Sequence, residues 1–351
     1  MAVKWSWAFG PETGAQLNNE MGWSCNADPN AVGPTQTHTY TYPGSPTTGP
    51  SARYSLRSDS ISSVQIPNDA WSPEGWVAFP YYKTTIVTHS NGRLINVYGS
   101  LENNSIWVDF RVNDEIELFI DGITQGSVLL SGMTNEWNYW ALRYTMSGTT
   151  WGATLFLNGV EILSGSETGK NAETGGTISW SGPGNGDRVN YYGQIICYDS
   201  LSDAGETDHL YVTRVNPTVD TATTGTWTPS VGSDEFAVLS ASYDSSTFTS
   251  NTGSANGDKV ICKVTGALGL ITQLGTTPSA INGITVHAWA SGSGQNGFTA
   301  LSDNNAAYDN GTEITPDLND PTYCFSTAPD QPSNGAAWHA TSSLYIKYEV
   351  S

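Results

Sequence analysis

An Asn-Gly dipeptide between two short apolar runs is the feature that most limits how this chain can fold. Residues 153–163 read Ala-Thr-Leu-Phe-Leu-Asn-Gly-Val-Glu-Ile-Leu, with Asn158-Gly159 at the centre. Asn and Gly accept the positive φ angles of a type I′ turn, which joins two antiparallel strands. The aromatic run Trp137–Tyr144 lies just upstream. Together these segments predict an antiparallel meander.

Alternation of apolar and polar residues recurs along the chain, and helical periodicity is almost absent. Asn91-Gly92 and Asp121-Gly122 also lie between alternating runs and predict two further hairpins. About a dozen short strands over roughly 200 residues, with no helices between them, are typical of two packed antiparallel sheets. The runs that predict strands are Val3–Phe9, Thr37–Tyr42, Gly75–Lys83, Thr84–Thr88, Arg93–Gly99, Ser105–Val112, Glu115–Ile120, Gly126–Leu130, Trp137–Thr145, Thr150–Leu157, Val160–Leu163, Thr177–Trp180, Val189–Tyr198, Phe236–Leu239, Lys259–Thr265, Ile284–Ala290 and Leu344–Val350.

The order of these motifs resembles a known architecture. The aromatic strand, the Asn-Gly hairpin and the closing strand Tyr191–Asp203 resemble a concanavalin A-like (laminin G-like) jelly-roll domain. The later segments 209–220, 225–232, 244–250, 257–262 and 336–340 are similar to the region that follows such a domain in many tailed-phage virion proteins. The resemblance implies an all-β fold: a concanavalin A-like jelly-roll sandwich over residues 1–204, then a second, smaller antiparallel β-sandwich domain over 205–351.

The same resemblance implies a function. It indicates a bacteriophage virion structural protein, as a capsid decoration, head-fibre or tail-fibre component, that displays a carbohydrate-binding type of lectin fold and has no enzymatic activity. Its expected partners are other virion proteins of capsid or tail, host-surface glycans and further copies of itself in a homo-oligomer. It would assemble in the host cytoplasm and be exposed on the particle surface. The alternatives are a stand-alone polysaccharide-binding adhesin and a jelly-roll glycan-cleaving enzyme.

Charge excludes two other classes of partner. The 351 residues include 33 acidic and 13 basic side chains, so the net charge is −20. Nucleic acids and anionic membrane surfaces require clustered Lys and Arg, and no basic run occurs. No 18-residue apolar run predicts a membrane span, and residues 1–9 lack the basic and apolar regions of a secretory leader. We therefore expect neither nucleic-acid binding nor membrane insertion.

Motifs for catalysis are missing from the sequence. The five histidines show no metal-ligand spacing, and the nearest approach to a glycosidase carboxylate pattern is Glu115 with Glu117. Their alternation with Ile116 and Leu118 indicates the solvent face of an outer strand instead. The segment 165–171 faintly resembles a phosphate loop but is better interpreted as a hairpin tip. No catalytic residue is predicted.

Calcium is the one cofactor left open, with no ligand set assigned. The oxygen-rich segments Asp303–Asn310 and Asp317–Asp320 could hold the ion through loop carboxylates and carbonyls, but ordinary turn chemistry explains them better. The cysteines Cys25, Cys197, Cys262 and Cys324 are far apart and are predicted to be buried free thiols. Cys262 and Cys324 are the pair in which to test for a bridge.

Tryptophans are the remaining candidates for ligand binding, because a sugar ring can stack its C–H face on an indole. Four of them lie next to Gly-, Pro- or Ser-rich loops, where exposure is easier, and are the predicted carbohydrate-binding residues: Trp71, Trp76, Trp151 and Trp180. The alternative for each is packing in the core. Trp137 and Trp140 should lie on opposite faces of one strand, with at least one in the core and the other nearer the surface.

Overall fold

A computed structural model provides the coordinates, and it describes somewhat more than half of the chain. The described residues are 3–7, 24–25, 32–37, 54–59, 63–66, 68–83, 92–100, 104–111, 114–131, 133, 137–181, 189–199, 201, 217–233, 239, 249–251, 255–264, 284–292, 295–302, 306, 308–310, 313–315, 322–328 and 344–351.

The described secondary structure is almost entirely strand, with one short 3-10 helix at Asn68–Ala70. In this part of the chain, no helix is long and apolar enough to cross a membrane. The strands of the first half are β1 Val3–Trp7, β2 Ser24–Cys25, β3 Val32–Thr37, β4 Tyr54–Asp59, β5 Ser63–Gln65, β6 Glu74–Lys83, β7 Gly92–Gly99, β8 Ser105–Phe110, β9 Glu115–Ile120, β10 Ile123–Leu129, β11 Trp137–Thr145, β12 Thr150–Leu157, β13 Val160–Thr168, β14 Gly176–Ser181, β15 Val189–Tyr192 and β16 Ile195–Tyr198.

The remaining strands belong to the second half. They are β17 Val219–Thr224, β18 Trp227–Pro229, β19 Thr249–Asn251, β20 Lys259–Val264, β21 Ile284–Ala290, β22 Gly297–Ser302, β23 Asp309–Asn310, β24 Thr322–Ala328 and β25 Leu344–Val350. The chain divides into two compact units, made mainly of Val3–Thr47 with Ser51–Val212 and of Thr213–Ser351. The predicted boundary after residue 204 lies outside the described residues.

The first unit is a two-layer jelly-roll sandwich. Its first sheet runs in the order β13-β12-β11-β6-β15-β4-β3, with β16 also paired to β6 and β1 to β16. Its second sheet runs β10-β9-β8-β7-β14-β5-β2. All pairings are antiparallel, and the chain crosses between the sheets after β1, β2, β4, β5, β6, β10, β13 and β14. The predicted all-β antiparallel fold class is confirmed.

Large aromatic side chains join the two layers. Tyr81 of β6 stacks on Phe110 of β8, with ring centroids 5.5 Å apart. Phe79 of β6 meets Trp180 of β14 edge-on at 5.7 Å. Trp140 of β11 also contacts Phe110. All five side chains are at most 1% exposed. Buried aromatics of this size dominate the energy of a core, so this contact holds the sheets face to face.

The opposite face of the first sheet is apolar and buried as well. Its cluster consists of Trp76, Ala78, Tyr139, Ala141, Phe156, Ile196 and Tyr198, each no more than 7% exposed. Trp137 lies beside Tyr82 with its ring 8% exposed, so both Trp137 and Trp140 are buried. The two indoles lie on opposite faces of β11, as predicted, but neither lies at the surface, because the sheet is covered on both sides.

Two of the predicted hairpin turns are confirmed by their backbone. Asp121-Gly122 has φ angles of 50° and 80°, and Asn158-Gly159 has 51° and 81°. These values are those of a type I′ turn. The Asn158 side chain adds support, because its Oδ1 accepts a bond from the Tyr139 backbone N–H at 2.8 Å. Asn91 lies outside the described residues, as do residues 38–42 and 84–88 of two predicted strands.

The predicted strand Val189–Tyr198 is divided into β15 and β16. Both pieces pair with β6, and the break at Gly193-Gln194 falls opposite Pro80. Proline has no N–H for the ladder, and the Gly193 N–H instead donates to the Pro80 carbonyl at 2.8 Å. A Cβ at Gly193 would lie only 3.0 Å from the proline ring. Proline within β6 therefore explains the interruption.

The second unit contains a five-stranded antiparallel sheet in the order β17-β20-β25-β22-β23 and two pairs, β18-β19 and β21-β24. Val286 of β21 packs with Leu301 and Leu344 in a small core. The predicted strands Ile284–Ala290 and Leu344–Val350 are confirmed to the residue. Cys262 is buried in β20, as Cys197 is in β16. The side chain of Cys324 lies outside the described residues.

Candidate functional site

The outer face of the second sheet is where the described residues concentrate polar and aromatic side chains. Alternation assigns the faces: Ile106, Val108 and Phe110 of β8 are fully buried toward the first sheet. Ser105, Trp107 and Asp109 therefore point outward. On β9 the same alternation turns Ile116 and Leu118 inward and the glutamates outward.

One row of outward side chains crosses six strands of this sheet. Residues paired directly across neighbouring strands share a face, so the register defines the row. We call it the cross-strand row, and its members in order are Gln65 of β5, Ser179 of β14, Asn96 of β7, Trp107 of β8, Phe119 of β9 and Thr124 of β10.

Asn96 is the most unusual member of the cross-strand row. Its side chain is only 1% exposed, and neither Nδ2 nor Oδ1 has a hydrogen-bond partner. A buried polar atom without a partner costs about 1–3 kcal/mol, so native proteins rarely keep one without a reason. The Asn96 amide is therefore a buried donor and acceptor without partners on the outer face of this sheet.

Further unsatisfied groups surround this amide. Thr177 points outward one row away, opposite Tyr98, and its Oγ1 is buried without a partner. The Trp107 indole N–H lies close enough to Asp109 to lower the pKa of that carboxyl, yet Trp107 Nε1 and Asp109 Oδ1 lack a well-formed hydrogen bond. The set holds both donors and acceptors, which complements hydroxyl groups that do both.

Asp109 lies in a desolvated environment. Burial raises the pKa of its carboxyl above the ordinary value and outweighs the lowering effect of Arg93, whose Nε is 3.8 Å from Oδ1. Glu117, directly opposite on β9, adds to the rise. Glu117 itself forms an ion pair with Arg111 at 2.5 Å. Two carboxylates and two guanidinium groups thus balance in charge beside the cross-strand row.

The aromatic centre of the site is a four-layer stack. Trp107 and Phe119 lie nearly parallel, with 10° between their planes and 4.9 Å between centroids. The Arg93 guanidinium lies 4.7 Å from the Trp107 ring centre on the β7 side, and Arg111 lies 5.3 Å from that of Phe119. Contacts of this kind are cation–π interactions. Both faces of the indole are therefore occupied, and Arg93, with 37% of its side chain exposed, is the cover open to solvent.

The four tryptophans predicted to bind carbohydrate are not at this site. Trp71 is 6% exposed, Trp76 0%, Trp151 1% and Trp180 1%. The expectation that adjoining loops leave them exposed is wrong. Trp76 and Trp180 lie within β6 and β14 on covered faces, Trp151 donates its Nε1–H to the Asn171 carbonyl at 3.0 Å, and Trp71 packs against Gly176. None of these rings offers a face to a sugar.

Two other expectations concern the acidic residues and the segment 165–171. Glu115 and Glu117 do lie on the outer face of β9, alternating with fully buried Ile116 and Leu118. The expectation of a hairpin tip at 165–171 is wrong, because residues 165–168 are paired with β12 inside β13.

No cation site is found in the described part of the chain. There, no three or more His, Cys, Asp or Glu side chains group together as metal ligands. Asp303 and the segment Asp317–Asp320, predicted as candidate calcium ligands, lie outside the described residues.

Comparison with known proteins gives structural likeness only. No protein-family model and no curated protein matches the chain. Among solved structures, peanut lectin with a nine-residue peptide is 9% identical over 55% of this chain and 96% of that chain, with a TM-score of 0.35. The exoplasmic domain of VIP36, in its Ca2+- and Man3GlcNAc-bound form, is 10% identical over 45% and 84%, with a TM-score of 0.32.

A third likeness is to Trypanosoma rangeli sialidase in complex with sialic acid. It is 8% identical over 51% of this chain and 30% of that chain, with a TM-score of 0.35. The chain thus spans less than a third of the length of this sialidase. All three TM-scores are below 0.5, so no family membership or activity follows from them.

Proposed function

We propose that this protein binds carbohydrate through the outer face of its second sheet, centred on Asn96 and Trp107. The buried amide of Asn96, unpaired on both atoms, carries the proposal. A polyhydroxylated ligand satisfies such a group once the side chains that cover it move aside, because each hydroxyl both donates and accepts. The stacked pair Trp107 and Phe119 lies next to it in the cross-strand row. A sugar ring can pack on this aromatic surface once the Arg93 guanidinium moves off the indole.

A neutral ligand fits the charges best. Arg93 faces Asp109 and Arg111 faces Glu117, so the two cations near the row are already balanced. The chain as a whole carries a net charge of −20, which repels anionic polysaccharides at a distance. Uncharged hexose polymers are therefore the proposed ligand class.

Binding without catalysis is the second part of the proposal. One observation favours the alternative of glycan cleavage: Asp109 and Glu117 lie directly opposite each other on β8 and β9, and the pKa of Asp109 is raised. Retaining glycosidases use two carboxyl groups about 5 Å apart, one of them a proton donor with a raised pKa. However, Asp109 is only 8% exposed and each carboxylate faces an arginine. We expect no release of oligosaccharides, and detectable release abolished by Glu117→Gln would favour the enzyme.

A glycan array followed by calorimetric titration tests the binding proposal. The protein should bind at least one neutral polysaccharide, and Trp107→Leu should abolish that binding. Trp227→Leu is the matched control, because Trp227 is also a half-buried strand tryptophan but belongs to the second unit. Failure to bind any glycan, or equal losses in the two folded variants, would overturn the proposal.

A place on a phage particle is the third part, and it rests on the resemblance of both halves of the chain to tailed-phage virion proteins. As a capsid decoration, head-fibre or tail-fibre component, many copies would turn weak single-site binding into avidity. Antibodies against the protein should then label the surface of intact particles. Labelling restricted to the cell surface would favour a stand-alone adhesin.

A further inference from the structure

The cross-strand row is long enough for more than one sugar. Neighbouring strands lie about 4.8 Å apart, so six strands span roughly 24 Å from Gln65 to Thr124. The spacing between strands is close to the advance of one pyranose residue along an extended glycan. Each strand thus presents one side chain to one sugar position.

We infer that the site takes an internal segment of an extended neutral polysaccharide, laid across the strands along the cross-strand row. This inference rests on the proposed carbohydrate binding and adds the length and direction of the ligand. It distinguishes a chain binder from a protein that recognises a single terminal sugar.

The row has two chemically different halves. Gln65, Ser179 and Asn96 carry amides and a hydroxyl, whereas Trp107 and Phe119 carry aromatic rings whose outer faces are covered by Arg93 and Arg111 until a ligand displaces them. Sugar hydroxyls bond to the first group, and C–H faces pack on the second. A single sugar cannot contact both halves beyond the central Asn96–Trp107 pair, so the outer members serve neighbouring residues of the same chain.

The direction along the strands is less suitable. Going along β8 from Trp107, the next outward side chain on one side is Asp109, with Arg93 and Glu117 beside it. A ligand placed there would displace water from four charged groups, counting Arg111, without replacing their hydrogen bonds. The row across the strands is the path with uncharged side chains.

Chain length is the variable that tests the inference. The probes are neutral β-1,4- and β-1,3-linked gluco-oligosaccharides of one to six residues, together with the series from the best polysaccharide of the array. Affinity should rise by about tenfold or more from the dimer to the tetramer, as extra positions of the row are filled, and then level off. A monosaccharide that binds as tightly as the hexamer would overturn the inference but leave carbohydrate binding intact. Absence of binding at every length would overturn both.

Substitutions at the ends of the row provide a second test. Gln65→Ala and Thr124→Ala should weaken binding of the hexamer several-fold and leave the dimer unchanged, because the dimer occupies only the centre. Ser164→Ala, an exposed position on β13 of the first sheet, is the control and should change neither. Thr124 is exposed and Gln65 half-buried, so both variants should fold. Equal effects on dimer and hexamer, or none on either, would contradict the inference.

Discussion

Asn96 lies directly opposite Trp107 in the β7–β8 ladder, and both polar atoms of its amide are buried without a hydrogen-bond partner. Asn138 of β11 is a buried amide of similar size, yet its Oδ1 accepts a bond from Asn158 Nδ2 at 3.0 Å. The Asn138 amide therefore stabilises the folded protein, whereas the Asn96 amide destabilises it. A destabilising polar residue that lies beside aromatic side chains is better explained by a role in ligand binding than by a role in packing.

Replacement of Asn96 by leucine should stabilise the protein and abolish glycan binding. The substitution removes two unsatisfied polar atoms, so we expect the free energy of unfolding to rise by about 1 kcal/mol or more. Urea denaturation measures the stability, and titration with the array-selected oligosaccharide measures the binding.

Asn138→Leu is the matched control for that prediction. It leaves Asn158 Nδ2 without its acceptor and should lower the free energy of unfolding by about 1–3 kcal/mol. If both variants lose stability to the same extent, Asn96 has a structural role and the site assignment is wrong.

Asp109→Asn should stabilise the protein at neutral pH and not at acidic pH. Burial raises the folded-state pKa of Asp109 above the ordinary 3.8, so ionisation costs stability as pH rises through the folded value. Asparagine removes that cost. The gain in melting temperature should therefore be present at pH 7 and shrink to nothing below about pH 4.

Melting curves from pH 3 to pH 8 measure this difference between variant and wild type. A variant that is less stable than wild type at pH 7 would show that the attraction between Arg93 and Asp109 outweighs burial. In that case, ionised Asp109 stabilises the folded protein instead of destabilising it.

Arg93→Ala should tighten glycan binding. The Arg93 guanidinium lies over the Trp107 ring, so a sugar must displace it to stack there. Its removal should raise affinity several-fold, while the lost cation–π contact costs about 0.5–1 kcal/mol of stability in addition to the lost attraction between Arg93 and Asp109. Arg143→Ala is the control, because Arg143 covers Trp76 in the same manner on the first sheet, at 5.3 Å. Titration of both variants with the glycan tests this prediction: Arg93→Ala should bind more tightly and Arg143→Ala should be unchanged. Weaker binding by Arg93→Ala would mean that Arg93 contacts the ligand itself.

Short-range signals allowed the sandwich to be predicted from the sequence. Alternation located Glu115–Ile120, Trp137–Thr145 and Thr150–Leu157 to the residue, because side chains of a strand point to opposite faces in turn. The two turns could be predicted from Asp121-Gly122 and Asn158-Gly159, because both central positions of a type I′ turn need positive φ angles, which these residue types accept. Strands with weaker alternation, such as Tyr54–Asp59, were missed.

The candidate site could not be predicted in the same way. Trp107 alternates with Asp109 and Arg111, which indicates a shared outer face, but its partners come from other strands. Asn96 reaches Trp107 only because the register shifts between Arg93 and Ile95, and a bulge leaves no clear mark in a sequence. The expected exposure of Trp71, Trp76, Trp151 and Trp180 is wrong for a related reason. Neighbouring loop residues say little about which sheet face a strand side chain occupies.

The buried ion pair between Lys83 and Asp114 offers a last test, this time of the sandwich itself. Lys83 ends β6 in the first sheet and Asp114 immediately precedes β9 in the second, so the pair joins the two layers. Both residues are at most 5% exposed, and the Lys83 ammonium also lies 5.2 Å from the centre of the Phe110 ring. Lys83→Met should lower the free energy of unfolding by about 3–5 kcal/mol, because it leaves a carboxylate buried without its cation.

Adding Asp114→Asn to that variant should restore much of the loss. Asparagine removes the charge and, like aspartate, tolerates the φ of 66° found at this position. A double-mutant cycle by chemical denaturation measures the coupling between the two residues. If the losses in the two single variants simply add up in the double variant, the ion pair contributes no coupling free energy between the sheets. A recovery in the double variant would show that the charge on Asp114, once its cation is removed, is what destabilises the junction between the two sheets.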